Sequence, residues 1–344
     1  MINYFECGIV YSIILLKTVD IKLSLKIEGV LKVKKCLEKA YLITDNDLDG
    51  VSAAIVTSIV CPEMKYFIPS ERREIEEELQ RVLLSEEYEW IIMTDCSPQE
   101  EYTIQLINDF VAKGNEFTLL DHHRSALSLN QYDWAHVVVD DEGVKQCGAQ
   151  LFTKYLKNEG VDTSKVDGFI ECVRQYDTWD WVETGYTLAN ELNTLLAYYG
   201  IGRFIKVMIK RILDNKIDFF CAQRFLKVED KLILQVISGV EERYLIERMK
   251  TVKVIEFCGH QVGLVFADQL TNDLGTAICE KYSTVDFAMI VDFGRSKVSL
   301  RSRGGSIDLS KIAEQNGGGG HASAAGFYFD SGQVEKSFLD ILKK

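Results

Sequence analysis

The sequence predicts an α/β fold: a parallel-sheet domain with helices on both faces, a helical connector, and a smaller α/β C-terminal domain. Short apolar runs alternate with helix-length segments in the first half of the chain, which is typical of βαβ units. Helical periodicity dominates residues 191–250, and strand-like runs return after residue 251. With 344 residues and 47% apolar content, the chain is long enough for two hydrophobic cores.

Four segments follow from this pattern. Residues 1–34 form an N-terminal extension of unassigned role, residues 35–190 the parallel-sheet domain, residues 191–250 the connector, and residues 251–344 the smaller domain. The composition contains only three prolines and no Ser/Gly-rich stretch, so no long flexible linker is expected between the domains.

The elements of the first domain follow one another as strand, loop and helix. Predicted strands are 41–44, 90–94, 117–120 and 136–139, and predicted helices are 51–60, 70–84 with Ser70 as N-cap, 97–112 and 146–157. Three of the strands run directly into acids, which are Asp45, Asp47 and Asp49 after the first, Asp95 after the second and Asp121 after the third. His122 and His123 follow the last of these acids.

These acids are expected to meet at one edge of the sheet, since ligands of parallel sheets bind outside the carboxyl ends of the strands. A single Asp after a strand is ordinarily a turn residue or a helix cap. Five carboxylates in one crevice repel each other unless they take up protons or bind cations. Carboxylates with neighbouring imidazoles favour manganese, or magnesium, over metals that prefer thiolates.

Charge and cysteine content restrict the class of protein. The 39 basic and 52 acidic residues give a net charge of −13, which disfavours broad coating of nucleic acid or of anionic membranes. The apolar stretch 7–16 is too short to span a bilayer. Nine scattered cysteines without a CxxC pair predict reduced thiols in a cytoplasmic protein; Cys96 alone adjoins one of the clustered acids.

The ordered motifs resemble those of the DHH phosphoesterases. They are Asp45-Asn46-Asp47-Leu48-Asp49-Gly50, then Asp95, then Asp121-His122-His123, then Asp177 within Tyr176-Asp177-Thr178-Trp179. The resemblance implies two divalent cations, Mn²⁺ first, with Mg²⁺ or Co²⁺ as alternatives. It assigns one ion to Asp45 and Asp47, the other to Asp49 and His122, and both to the bridging pair Asp95 and Asp177. Asp121 and His123 would support catalysis or contact the substrate phosphate, and Asp180 is an alternative ligand.

One position departs from many relatives. Many oligonucleotide-cleaving members have His where this chain has Asp45, whereas RecJ-like exonucleases have Asp. Either residue can ligate a metal.

A second motif lies near the C-terminus. Gly318-Gly319-Gly320-His321, followed by Ala324-Ala325-Gly326 and preceded by Ser299-Leu300-Arg301-Ser302, resembles the substrate-binding domain that commonly accompanies a DHH domain. The implied substrate contacts are Arg301, Ser302, Gly318, Gly319, Gly320 and His321. The glycines are expected to expose backbone amides, and the small residues after them to begin a helix whose N-terminus favours anions.

The resemblance implies hydrolysis of short oligonucleotides (nanoRNA) to mononucleotides by a hydroxide that two metal ions activate. The partners would be short single-stranded RNA or DNA, or dinucleotides; no membrane partner is expected, and a homodimer is compatible with the sequence. Alternatives are a RecJ-like single-strand exonuclease, a linear or cyclic dinucleotide phosphodiesterase and a phosphoadenosine phosphate phosphatase. A nucleotide-binding regulator without activity is the alternative from another class.

Overall fold

The computed structural model describes residues 38–214, 225–303 and 307–342. The chain divides into two compact units, Met1–Asp230 and Lys231–Lys344. The predicted extension at residues 1–34 lies outside the described residues. The domain boundaries drawn from the sequence remain predictions.

The first unit contains a parallel five-stranded sheet in the order β2-β1-β3-β4-β5. The strands are β1 Ala40–Ile43, β2 Lys65–Phe67, β3 Trp90–Thr94, β4 Glu116–Asp121 and β5 Ala135–Val137. The chain passes from β1 to β2 on one side and then returns to β3 on the other side of β1. Such a reversal opens a crevice at the carboxyl ends of β1 and β3. The acids predicted to converge lie at or just after the carboxyl ends of β1, β3 and β4.

Helices cover both faces of this sheet, as predicted. They are α1 Leu48–Val60, α2 Arg73–Leu84, α3 Glu101–Ala112, α4 Gly148–Asn158, α5 Asp167–Asp177, α6 Asp180–Thr184, α7 Leu188–Tyr199 and α8 Ile201–Asp214. Ile43 and Ile91 belong to a core with Leu79 of α2 and Ile107 of α3. Leu42, which alternates with Ile43 along its strand, is also fully buried, so the opposite face is covered as well.

Several local details differ from the sequence prediction. Helix α2 begins at Arg73, and Ser70 does not cap it; instead the backbone N–H of Ser70 donates to the Glu74 carboxylate at 2.7 Å. The short strand β2, the 3₁₀ segment Arg124–Gln131 and the hairpin β6 Asp140–Asp141 and β7 Val144–Lys145 were not predicted. These pieces are too short to show a clear periodicity.

The second unit has a six-stranded sheet in the order β12-β13-β11-β10-β9-β8. Its strands are β8 Lys253–Phe257, β9 His260–Phe266, β10 Phe287–Asp292, β11 Lys297–Arg301, β12 Gly319–Gly320 and β13 Ala324–Tyr328. Helix α9 Val228–Met249 leads into it, and α10 Thr271–Lys281, α11 Leu309–Gln315 and α12 Ser331–Leu342 complete it. Strands β9 and β10 are parallel, and the other pairs are antiparallel.

The predicted helix after the glycine run is wrong. Residues Ala324–Tyr328 form strand β13, and Gly319 and Gly320 pair with it as β12. Gly320 has φ +140°, and a Cβ there would lie 2.6 Å from the Cα of Ala325. The glycines therefore permit a close antiparallel crossing of two backbones rather than opening a helix.

Among the described helices, none is long and apolar enough to cross a membrane. The six cysteines in the described ranges are free thiols, and all but Cys258 are buried. Most cysteines in this part of the chain are therefore buried side chains, and their reduced state remains a prediction.

Candidate metal centre and its cavity

The acids after β1 are positioned by the start of helix α1. Asp47 is the N-cap, and its carboxylate accepts the backbone N–H groups of Asp49 at 3.0 Å and Gly50 at 3.1 Å. A Cβ at position 50 would lie 2.2 Å from the carbonyl oxygen of Asp45. Only glycine therefore allows the tight turn that brings the three acids together.

Asp49 is buried against the N-terminus of helix α4. Its two carboxylate oxygens accept the backbone N–H of Gly148 at 2.6 Å and that of Ala149 at 2.9 Å. A helix N-terminus stabilises a negative charge, yet burial raises the pKa of Asp49 above its ordinary value, with the charge of Asp47 adding to the increase. The carboxylate is fixed in place, but its charge is not fully compensated.

Asp95 follows β3 in a left-handed backbone conformation, with φ +60°. Such a conformation is uncommon outside glycine and clusters at functional sites. The residue is 2% exposed, and its Oδ2 atom is buried without a hydrogen-bond partner among the described residues. Burial, and then the charges of Asp49 and Asp47, raise the pKa of Asp95 well above its ordinary value.

Asp121, the last residue of β4, and His123 form a hydrogen-bonded pair. One carboxylate oxygen, Oδ1, accepts the backbone N–H of His122 at 2.7 Å and pairs with His123 Nδ1 at 2.8 Å. Burial opposes ionisation, but the His123 hydrogen bond and charge hold the pKa of Asp121 below its ordinary value. Because an ionised carboxylate only accepts, Nδ1 of His123 carries the proton, and this bond raises the pKa of His123.

His122 is the point at which the acids converge. Its Nε2 atom lies 3.2 Å from Asp95 Oδ1, 3.5 Å from Asp177 Oδ2 and 3.8 Å from Asp49 Oδ2. Burial lowers the pKa of His122, despite the opposing charge of Asp49. A neutral imidazole is the form that ligates metals.

The residues at this point fit a divalent cation. Two groups have ligand atoms within 4.8 Å of one another: Asp49, His122 and Asp177 form one, and Asp95, His122 and His123 the other. Three carboxylates crowd one neutral ring nitrogen, and the second oxygens of Asp95 and Asp121 are buried without partners in the described part of the chain. Such groups need a cation or protons, and oxygen and imidazole ligands suit Mn²⁺ or Mg²⁺.

Asp45 and Asp47 are not members of either group within the described ranges. Asp47 uses its carboxylate as the helix cap, and Asp45 forms an ion pair with Arg72 at 3.6 Å. Asp180, the alternative ligand, pairs with Arg174 at 2.5 Å. The structure thus brings Asp49, Asp95 and Asp177 each to within 4 Å of the same His122 nitrogen, and Asp45 and Asp47 belong to the same turn as Asp49.

A cavity of about 400 Å³ adjoins Asp121 and His123. It is lined by these two residues together with Arg72, Arg73, Ile75, Glu76, Cys96, Ser97, Gln99 and Ser125. Its volume falls within the range of small-molecule sites. Burial, followed by the charge of Asp45, raises the pKa of Cys96 well above its ordinary value, so this cysteine is a neutral thiol and not a nucleophile.

Sequence reasoning missed the cavity residues Arg72, Ser97 and Gln99. Arg72 belongs to a run of charged residues, and such runs are typical of the solvent-exposed first turn of a helix, so the sequence did not indicate a role in a site. Ser97 and Gln99 fall in a loop without regular structure. A weak signal exists for Ser97, since it comes two residues after Asp95, and the loops after parallel strands carry ligand contacts.

The residues predicted to contact substrate in the second unit meet at one end of its sheet. Arg301 pairs with Ala324 across β11 and β13, and the backbone N–H of His321 donates to the Ala324 carbonyl at 2.8 Å. The Arg301 guanidinium donates to Asn272 at 2.7 Å. The hydroxyl of Ser302 is buried without a partner among the described residues.

Comparison with known proteins identifies the family. Residues 39–174 match the DHH family N-terminal domain, and residues 265–344 match the DHHA1 domain. The chain is 32% identical over 295 residues to oligoribonuclease NrnB of Bacillus subtilis, a match that covers 83% of this chain and 72% of that protein. The chain belongs to the DHH family. It is therefore a hydrolytic phosphoesterase, and the family predicted from the ordered motifs is confirmed.

Two solved structures share the DHH fold with this chain. A pGpG-specific phosphodiesterase from Vibrio cholerae matches with a TM-score of 0.51 and 15% identity, covering 89% of this chain and 99% of that one. RecJ from Thermus thermophilus, solved with Mg²⁺, matches with a TM-score of 0.50 and 16% identity, covering 89% of this chain and 49% of that one. At these identities the likeness concerns the fold.

In the absence of divalent cations, Asp177 is expected to contribute less to stability as the pH rises from about 4 to about 8. Burial, and then the charges of Asp49 and Asp47, raise the pKa of Asp177 from 3.8 to about 8. A carboxyl group with a higher pKa in the folded state binds protons more tightly there. The contribution of Asp177 to the free energy of unfolding is therefore largest below pH 4 and decreases until about pH 8.

Cation binding favours the ionised carboxylates and should offset this loss. Melting temperatures measured with EDTA and with Mn²⁺ should differ more at pH 8 than at pH 5. The Asp177→Asn variant in EDTA should show a flatter dependence on pH. An equal Mn²⁺ effect at both pH values would contradict the prediction.

Proposed function

We propose that this chain is a divalent-cation-dependent phosphodiesterase that hydrolyses short single-stranded oligonucleotides to mononucleotides. The observation that carries the proposal is the convergence of Asp49, Asp95 and Asp177 on His122, next to a cavity that Arg72 and Arg73 help to line. The similarity to an oligoribonuclease over 72% of its length supports the choice of substrate.

The proposed cofactor is a pair of divalent cations, with Mn²⁺ preferred because imidazole and carboxylate ligands occur together. Asp49, His122, Asp95 and Asp177 would hold them, with Asp45 and Asp47 completing the set. Bound there, the cations would supply Lewis-acid stabilisation of the phosphate oxygens and favour ionisation of a water. The protein itself provides the orientation: the N–H groups of Gly148 and Ala149 fix Asp49, and Asp95 Oδ1 lies 3.2 Å from His122 Nε2.

His123 is the proposed proton carrier. Asp121 holds its Nδ1–H, which leaves Nε2 available for a substrate. Asp121 raises the pKa of His123, so a larger fraction of the ring is protonated near neutral pH. In that form Nε2–H can donate to a phosphate oxygen or protonate the leaving oxygen. The cavity next to His123 would hold the nucleotide attached to that oxygen, with Arg72 near its phosphates.

The preference for short substrates rests on charge. Affinity for long nucleic acids comes from many phosphate contacts, and a chain with a net charge of −13 is poorly suited to make them. A cavity of about 400 Å³ suits one nucleotide rather than a long strand. In the second unit, we propose that Arg301, Ser302, Gly318, Gly319, Gly320 and His321 contribute contacts to the substrate, as the family resemblance implies.

A panel of end-labelled RNA and DNA from two to about twenty-four nucleotides, incubated with Mn²⁺, tests the proposal. The expected result is fastest release of mononucleotides from substrates of two to five nucleotides, with turnover falling as length increases. Cyclic dinucleotides and adenosine 3′,5′-bisphosphate should be turned over more slowly than linear dinucleotides.

The other outcomes identify the alternatives. Preference for the longest single strands would point to a RecJ-like exonuclease, and preference for the bisphosphate to a nucleotide phosphatase. Preference for a cyclic dinucleotide would identify a cyclic dinucleotide phosphodiesterase. Binding without any turnover would identify a regulator and would overturn the proposal.

A further inference from the structure

Trp179 lies in an unusual position beside the metal centre. It is 57% exposed and has φ +65°. A large aromatic side chain in the left-handed region is strained, and exposure of so much apolar surface gives no compensating burial. Packing within the described part of the first unit therefore does not explain why a tryptophan occupies this position.

The surrounding residues hold the strained turn in place. Arg174, which is buried, donates through one guanidinium nitrogen to Asp180 at 2.5 Å, and the same nitrogen lies 3.4 Å from the Thr178 hydroxyl. The Lys145 ammonium donates to the Thr178 carbonyl at 3.1 Å. Cationic side chains thus hold the residues on both sides of Trp179, Thr178 through its carbonyl and hydroxyl and Asp180 through its carboxylate.

The indole belongs to an aromatic pair. Its ring and that of Trp181 are stacked, with centroids 6.3 Å apart and planes 30° apart. Val182, next in the chain, is also 57% exposed. These side chains form an apolar, aromatic surface at the edge of the acidic cluster, whereas the other side chains described at the metal centre are carboxylates and imidazoles.

The distance to the metal centre is short. Trp179 comes two residues after Asp177, so their Cα atoms are at most about 7 Å apart. Asp177 Oδ2 lies 3.5 Å from His122 Nε2. The base and the phosphate of one nucleotide are separated by a similar distance. The phosphate binds to cations, and the base stacks on the face of an aromatic ring.

We propose that Trp179, supported by Trp181, is the surface on which a base of the substrate stacks while the adjoining phosphodiester lies at the Asp177 cluster. The inference rests on the proposed function and specifies how it recognises a nucleotide. Because every base has a π-face, such a contact accepts any base. It gives a preference for nucleotides over phosphodiesters that lack bases.

The test compares Trp179→Leu and Trp179→Gly with the full-length wild-type protein. On an intact dinucleotide with saturating Mn²⁺, KM should rise about 5- to 100-fold in both variants, while kcat should change less than about twofold. The glycine variant should melt at the same temperature as wild type or higher, because glycine relieves the left-handed strain. A purely structural tryptophan would give the opposite result, a lower melting temperature.

Dinucleotides with an abasic residue at one position or the other identify the contact. For one of the two substrates, wild type and Trp179→Leu should have equal KM values, since the stacking partner is missing. Tyr102→Leu is the matched control: Tyr102 lies on α3 and is 58% exposed, and its removal should leave KM unchanged.

Each failure has a separate meaning. If the wild type hydrolyses no oligonucleotide, the proposed function fails. If the wild type is active and Trp179→Leu has the wild-type KM, only the stacking proposal is overturned. The same holds if KM of the variant rises by the same factor on the intact substrate and on both abasic substrates.

Discussion

Replacement of Asp95 by asparagine is expected to lower kcat/KM for a short oligonucleotide by at least about 1,000-fold, since the loss of one carboxylate from the metal centre removes several kcal/mol of transition-state stabilisation. Asparagine preserves the shape of the side chain, so the effect reports the charge. Steady-state kinetics over a range of Mn²⁺ concentrations measure the loss, and calorimetric titration with Mn²⁺ measures the weaker cation binding.

The same substitution should stabilise the metal-free protein. Burial and neighbouring acids raise the pKa of Asp95 well above its ordinary value, so its charged form is unfavourable in the folded state near neutral pH. A neutral side chain removes that penalty, and the melting temperature in EDTA should increase. The matched control is Asp133→Asn, an exposed acid of the same unit, which should change neither property. A variant that retains more than a tenth of the activity, or melts lower in EDTA, would contradict the assignment.

Replacement of Gly148 by alanine is expected to reduce kcat by about 100-fold or more without removing any chemical group from the centre. A Cβ at this position would lie 2.6 Å from the Cβ of Asp95 and 2.8 Å from its backbone nitrogen and Cα. Backbone atoms cannot rotate out of the way, so either Asp95 or helix α4 must move. Displacement of a catalytic group by about 1 Å costs roughly 100-fold in rate, and overpacking costs about 1 to 3 kcal/mol in stability.

Gly202→Ala provides the matched control for this prediction. Gly202 lies near the start of helix α8, has no neighbouring heavy atom within 4 Å of its Cβ position, and has no positive φ. Alanine is the better helix former, so the control should be active and as stable as wild type or slightly more stable. Kinetics and denaturant unfolding measure both variants. Equal activity of the two would show that Asp95 tolerates the extra methyl group.

The fold and the location of the site were predictable because they depend on strong, repeated signals. Strands β1, β3 and β4 are mainly apolar, an acid lies at or just after the carboxyl end of each, and parallel pairing then brings those acids to one edge. The strand predicted at residues 90–94 agrees with β3, Trp90–Thr94. The order of the acidic motifs along the chain was also the basis of the family resemblance, which the comparisons confirm.

Other features depended on contacts that a sequence pattern does not show. Asp47 and Asp49 occupy the same motif, yet one caps helix α1 and the other is held by the first N–H groups of α4, about a hundred residues away. The glycine run was interpreted as the start of a helix because small residues follow it. In the structure the same small residues allow β12 and β13 to approach closely, and glycine content alone does not distinguish these two uses.

We expect the buried acids of the candidate metal centre also to affect how long the protein survives in a cell. Acids that disfavour folding until a cation arrives make the cation-free chain open more often, and proteases cleave opened chains. Scarcity of divalent ions would then reduce the number of intact molecules as well as the activity of each one. A fall in ion supply would therefore lower total activity more steeply than occupancy of the site alone requires.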